Sequence, residues 1–149
     1  MTTPVIQLPH RGRPITIGPT TNHILVGGSD SDGRVGVIEM ALTPGFTGPP
    51  LHAHEQIEHV WYVLAGNVTA VIGDVNTVLS AGACAFVPRG VPHRFGNGGD
   101  DVARLLEIDT PRTLDAYFDE LAEAMPAGAQ VDPAIIAPIL ARHDTRIVA

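Results

Sequence analysis

From Pro14 to about Ile108, every apolar stretch is short, and glycine, proline or an Asp-rich turn cuts it before a long helix can form. That punctuation constrains the chain more than any other feature. It leaves room for strands, and β-branched and aromatic residues fill the segments 15–17, 23–26, 35–42, 59–64, 68–72, 77–79, 83–87, 94–95 and 102–108. Gly73-Asp74 is a short hairpin turn between two of them. Residues 27–33 read as a further turn. Its aspartates lack EF-hand ligand spacing, so a hairpin is expected there and not a calcium loop. Eight or more short strands at this spacing imply a sandwich or a barrel.

The pattern changes after Pro111. Leu114, Tyr117, Phe118, Leu121, Ala122 and Met125 recur at helical spacing, with Thr113 as the expected N-cap and Pro126 and Gly128 as the stop. Asp132-Pro133 then opens a second helix whose apolar face is Ile135, Ile136, Ile139 and Leu140, with Pro138 expected to kink it. The reading is one domain over 1–149, with a barrel over about 14–110 and a helical segment over about 113–142. The helices are expected to cover an open side of the barrel or to meet another subunit.

Charge removes several function classes. The net charge is −7 and every one of the nine basic residues is Arg, so no basic stripe is present to neutralise phosphates. Without Lys, Schiff-base chemistry within the chain is excluded. Nucleic acid is therefore not an expected partner. The start of the chain has no signal-peptide pattern, and the apolar run 134–141 is too short to span a bilayer, so no membrane contact and a cytoplasmic location are expected. The single cysteine, Cys84, cannot form an internal disulfide. Its apolar surroundings read as a buried strand holding an inert thiol.

Four of the seven histidines fall in two short segments. The first contains His52, His54, Glu58, His59 and Gly66, and residues two apart on a strand share a face, so His52 and His54 can reach one ion together. The second contains Gly82, Pro88, Gly90, His93 and Asn97. Clustered imidazoles suit Zn, Fe, Ni and Cu.

These two segments resemble the two conserved motifs of the cupin superfamily. Gly82, Pro88, Gly90, His93 and Asn97 match every fixed position of the second motif, G-x5-P-x-G-x2-H-x3-N. His52, His54 and Gly66 match the first, while Gly45 stands one residue further from His52 than the pattern asks. The resemblance covers about residues 35–110. It implies an all-β fold, the double-stranded β-helix or jelly-roll barrel, here with one or two C-terminal helices. It also implies one divalent transition metal (Fe, Mn, Ni, Cu or Zn) inside the barrel.

At the position of the family's acidic ligand, counting back from Gly66 lands on His59, whereas counting forward from His54 lands on Glu58. His59 is the expected fourth ligand beside His52, His54 and His93. Glu58 is the alternative ligand, or a nearby catalytic acid or base. Four neutral imidazoles would leave the ion's charge uncompensated and favour anionic, chelating substrates. His10, His23 and His143 read as surface residues, Arg89 as solvent-facing, and Gln56 as a loop residue or a substrate contact. Trp61, Tyr62, Phe46, Phe86 and Phe95 read as core, or as the wall of an aromatic pocket.

The resemblance is nearest to single-domain, quercetin dioxygenase-like cupins. It implies an enzyme acting on a small enolic, phenolic or carbonyl molecule, with a dioxygenase as the leading reading. A non-redox cyclase, isomerase or lyase is the rival, and a non-catalytic small-molecule-binding module is the third. By analogy with the family a homodimer is expected.

Overall fold

A computed structural model describes residues 3–9, 11–129 and 132–148; His10 lies outside the described residues. Two antiparallel sheets carry the fold. The first has six strands, β1 (Arg13–Ile17), β2 (Thr20–Val26), β3 (Gly36–Leu42), β5 (Glu58–Ala65), β8 (Cys84–Val87) and β10 (Ala103–Thr110), in the order β1-β2-β3-β10-β5-β8. The second has five, β4 (His52–His54), β6 (Asn67–Ile72), β7 (Val75–Ser80), β9 (His93–Gly96) and β11 (Thr145–Ile147), in the order β11-β4-β9-β6-β7. The chain thus has the all-β, two-sheet architecture with C-terminal helices that its punctuation predicts.

Period-two alternation sets which side chains meet between the sheets. Ile38, Met40 and Leu42 on β3, Trp61 and Val63 on β5, Val68 and Ala70 on β6 and Leu105 on β10 are buried there. β10 also turns Glu107 and Asp109 inward while Arg104, Leu106 and Ile108 lie half-buried on the other face. Two acids placed in a core by strand geometry must find polar partners. They do so at the site described below.

Two glycines are required by geometry. Gly48 has φ +82°, and a Cβ there would stand 1.6 Å from the carbonyl oxygen of Phe95. Gly66, which links β5 to β6, has φ +71°, and its Cβ would meet the Cα of Ala103 at 2.9 Å.

Helices α2 (Asp115–Ala124) and α3 (Pro133–Arg142) close the open end of the barrel. Tyr117, Phe118 and Leu121 of α2 and Ile136, Ile139 and Leu140 of α3 are buried beneath them. Arg13 on β1 holds Asp119 on α2 at 2.6 Å, and the Asp132 side chain caps α3 at the N–H of Ala134. None of these helices is long and apolar enough to cross a membrane.

Four expectations need correction. Residues 27–33 contain a one-turn helix, α1 (Gly28–Ser31), because the Asp30 carboxylate accepts the Gly27 N–H at 2.9 Å and folds the turn back on itself. The N-cap of α2 is Leu114, since the Thr113 hydroxyl donates to the Asp115 side chain and not into the helix. Cys84 is exposed, because β8 is an edge strand that turns Cys84 and Phe86 outward. His23 and His143 are half-buried, the latter with its Nε2 at 2.7 Å from Glu120.

Candidate metal centre

Three histidines come from the five-stranded sheet and one from the six-stranded sheet. His52 and His54 flank Ala53 on β4 and share its inner face, and His93 on β9 pairs in register with His52. His59 projects inward from β5, opposite Asp109 of β10. All four are buried. Potential ligand nitrogens of His52, His54 and His93 lie within 4.8 Å of one another. The His59 ring centroid is 4.9 Å from that of His54 and 5.0 Å from that of His93.

Hydrogen bonds fix the tautomer of each ring. Nδ1 of His52 meets the carbonyl of Pro50 at 2.8 Å, Nδ1 of His93 that of Val91 at 2.8 Å, and Nδ1 of His54 that of Asp144 at 3.0 Å. A carbonyl can only accept, so each Nδ1 carries the proton and each Nε2 keeps its lone pair. His59 follows the same rule with a carboxylate, its Nδ1 donating to Asp109 Oδ1 at 2.8 Å. The Nε2 of His59 is buried and has no partner among the described residues. His52, His54 and His93, held through Nδ1 with their Nε2 atoms bare, form a donor set suited to a divalent transition ion, and His59 adjoins them while also grouping with Glu107 and Asp109.

Burial keeps these rings neutral. It lowers His52 to about 4, His54 to about 3 and His93 to about 2, the neighbouring imidazoles adding to the effect, and it lowers His59 against the pull of Glu107. Neutral imidazole is the form that binds metal.

Behind His59 sits an acid pair that the sequence reading missed. Glu107 accepts the Trp61 indole N–H at 2.7 Å and lies 3.9 Å from His59 Nδ1. Burial raises its carboxyl to about 7, with Asp109 adding to the shift. Burial also raises Asp109 well above the usual carboxylate range. Both carboxyl groups stand behind the histidines, outside the ligand motif. Their signal was present in the sequence, two acids at i and i+2 following the apolar pair Leu105-Leu106.

The C-terminal segment is the other missed contributor. Asp144 supplies the carbonyl that holds His54, its carboxylate accepts the N–H groups of Glu55 and Gln56, and Thr145 Oγ1 stands 3.2 Å from His54 Nδ1.

Glu58 is not part of the cluster. It precedes His59 on a regular strand, so it faces outward, where its carboxylate pairs with Arg89 at 3.3 Å. Gln56 is an exposed loop residue. Tyr62 and Phe86 point to solvent, Trp61 is fully buried, and Phe46 and Phe95 line the cavity in front of the imidazoles. That cavity has a volume of about 110 Å3, and its wall is largely apolar, with Leu114, Tyr117, Phe118 and Leu121 contributed by the α2 region.

Comparison with known proteins gives the fold a context. A family model described as a cupin domain matches residues 38–109. The chain is 30% identical over 88 residues to a mannose-1-phosphate guanylyltransferase of Sinorhizobium fredii, in a match covering 56% of this chain. The match spans only 17% of that curated relative's length. Among solved structures, KdgF from Halomonas sp. superposes with a TM-score of 0.66 at 18% identity, covering 76% of this chain and 99% of that one. An RmlC-like cupin from Shewanella frigidimarina superposes with a TM-score of 0.61 at 20% identity, covering 73% of this chain and 92% of that one.

Proposed function

This chain is a cupin by fold, and from that premise we propose that it is a mononuclear metal-dependent enzyme acting on a small, mostly apolar molecule that carries an enolic, phenolic or carbonyl oxygen. The observation that carries the reading is the set of four buried imidazoles, each pinned through Nδ1 and each with its Nε2 free, at one wall of an apolar cavity. His52, His54, His59 and His93 would hold the ion. When bound, it would supply Lewis acidity toward a substrate oxygen and, if redox-active, a route to dioxygen chemistry.

The chain's own residues do the rest. Asp109 and the three backbone carbonyls orient the imidazoles, and Trp61 fixes Glu107 beside them. The apolar wall beneath α2 and α3 excludes water and favours the uncharged part of the substrate. Dioxygen cleavage of an enolic or phenolic substrate is the leading reading, on the family resemblance. One observation favours the non-redox rival, a cyclase, isomerase or lyase. Glu107 lines the same cavity with its carboxyl held near 7, where a carboxyl can both take and return a proton. In either reading Glu107 replaces Glu58 as the candidate acid or base.

Elemental analysis of the purified protein, with His52→Ala, His93→Ala and His59→Ala beside it, tests the metal reading. Near-stoichiometric metal that is reduced in all three variants supports the four-histidine site. A wild type that holds no metal and cannot be loaded with any overturns it and leaves a binding module. Oxygen uptake with a panel of enols and phenols then divides the two chemistries. Turnover that persists without oxygen and is abolished in Glu107→Gln selects the proton-transfer reading.

A further inference from the structure

The cavity wall carries a further polar group, on β2. Alternation along β2 turns Thr20, Asn22 and Ile24 inward, and Asn22 is only 3% exposed. Its Oδ1 is buried without a hydrogen-bond partner among the described residues. The amide orientation follows from its neighbour. Thr20 Oγ1 donates to the carbonyl of Ile17 at 3.0 Å, so toward Asn22 it can only accept, and it lies 3.4 Å from Nδ2. That leaves the amide oxygen free at a wall that Asn22 shares with Ile17, Met40 and Leu42, none of which has a side-chain donor.

A buried amide oxygen without a partner is uncommon in a folded protein, and a ligand-binding role is one explanation for it. Asn22 pairs across to Met40 on β3, and β10 follows before β5, the strand that carries His59. The free oxygen therefore sits on a strand of the cavity wall that carries none of the four imidazoles.

We infer that Asn22 is a specificity-determining residue that accepts a hydrogen bond from a hydroxyl or N–H group of the substrate. The substrate class is then a small, largely apolar molecule with a hydrogen-bond donor remote from the oxygen that reacts. This rests on the reading of the cavity as the substrate site. The donor requirement is directional: Oδ1 rewards a hydroxyl or an amine and gives nothing to a methyl, an ether or a carbonyl in the same place.

The test uses phenol and toluene, which have the same number of heavy atoms and differ by a hydroxyl in place of a methyl. Each is only one heavy atom larger than benzene, which keeps the probes small. Binding to the purified chain, with its metal content recorded, is measured by calorimetry or ligand-observed NMR. An apolar wall alone favours toluene. The expected result is that wild type binds phenol at least as tightly as toluene, and that Asn22→Leu moves the ratio toward toluene by about tenfold or more. Should Asn22→Leu fold poorly, the side-chain amide signal of Asn22 in wild type gives a second readout, shifting with phenol and not with toluene.

Toluene preference in wild type, an unchanged ratio in Asn22→Leu, or binding of neither probe overturns the inference. A phenol preference abolished by His93→Ala but kept in Asn22→Leu also overturns it, by placing the hydroxyl at the imidazoles. Absence of metal from the wild type would instead defeat the metal reading, and the probe ratio would still report on Asn22.

Discussion

At the scale of single residues, the centre depends on groups that never reach its middle. Asp109 holds His59 at 2.8 Å through the nitrogen that faces away from the cluster. Removing it frees the ring to rotate and to exchange tautomers. Asp109→Ala is expected to lower metal affinity by about 10- to 100-fold with the fold retained, measured by competition against a chromogenic chelator. An affinity equal to wild type would show that His59 is held by packing alone. The histidines were legible in the sequence because two motifs with fixed spacing carry them. Glu58 and His59 could not be separated by counting, since they are adjacent; only the register of β5 against β10 turns one inward and the other out. Glu107 and Asp109 carried a readable signal that the motif pattern does not include. Asn22 carried none, because one asparagine among β-formers gives no sign of which face it takes.

At the scale of elements, the strands were readable wherever alternation met a turn residue, as at the hairpin that joins β6 to β7. Cys84 shows where that reading fails. An apolar run predicts burial only if both faces are covered, and β8 at a sheet edge leaves one face open. β11 was not legible at all. Its three residues have no pattern of their own and become a strand only by pairing with β4, with Val148 donating to Leu51 beyond it. Yet this short element carries the Thr145 hydroxyl beside His54, and the Asp144 that leads into it carries the carbonyl that holds the ring. Ending the chain before Asp144 is expected to weaken metal binding at least tenfold by the same chelator competition. Asp144→Gly, which keeps the carbonyl and suits the φ of +55° found there, is expected to retain most of the affinity. If truncation leaves metal binding intact, β11 is no part of the centre.

For the whole molecule, buried ionisable groups set the response to acid. Four histidines have folded pKa values below the ordinary 6.5, so as pH falls the unfolded chain takes up protons that the folded chain refuses. Their contribution is present above 6.5 and is lost as pH falls toward the folded values. Glu107 and Asp109 act in the opposite sense, since their raised pKa values keep protons in the folded state that the unfolded state releases. Four imidazoles outnumber two carboxyls, so the loss of stability is steepest as pH approaches 5, where the histidines of the unfolded chain are fully protonated. Denaturant unfolding of chelator-treated protein at pH 7, 6 and 5 should therefore show stability falling with acid. A flat or rising profile would mean that the carboxyls outweigh the imidazoles.

The division of the cluster, three rings on one sheet and one on the other, has a mechanical consequence. An ion seated on all four would act as a rivet through the sandwich, joining β4 and β9 to β5 where no backbone hydrogen bond can reach. The apolar layer between the sheets can slide and repack; a coordinated ion cannot, because its bonds have fixed lengths and directions. Occupancy of the site would then set the gap between the sheets, and with it the width of the cavity that the substrate must enter.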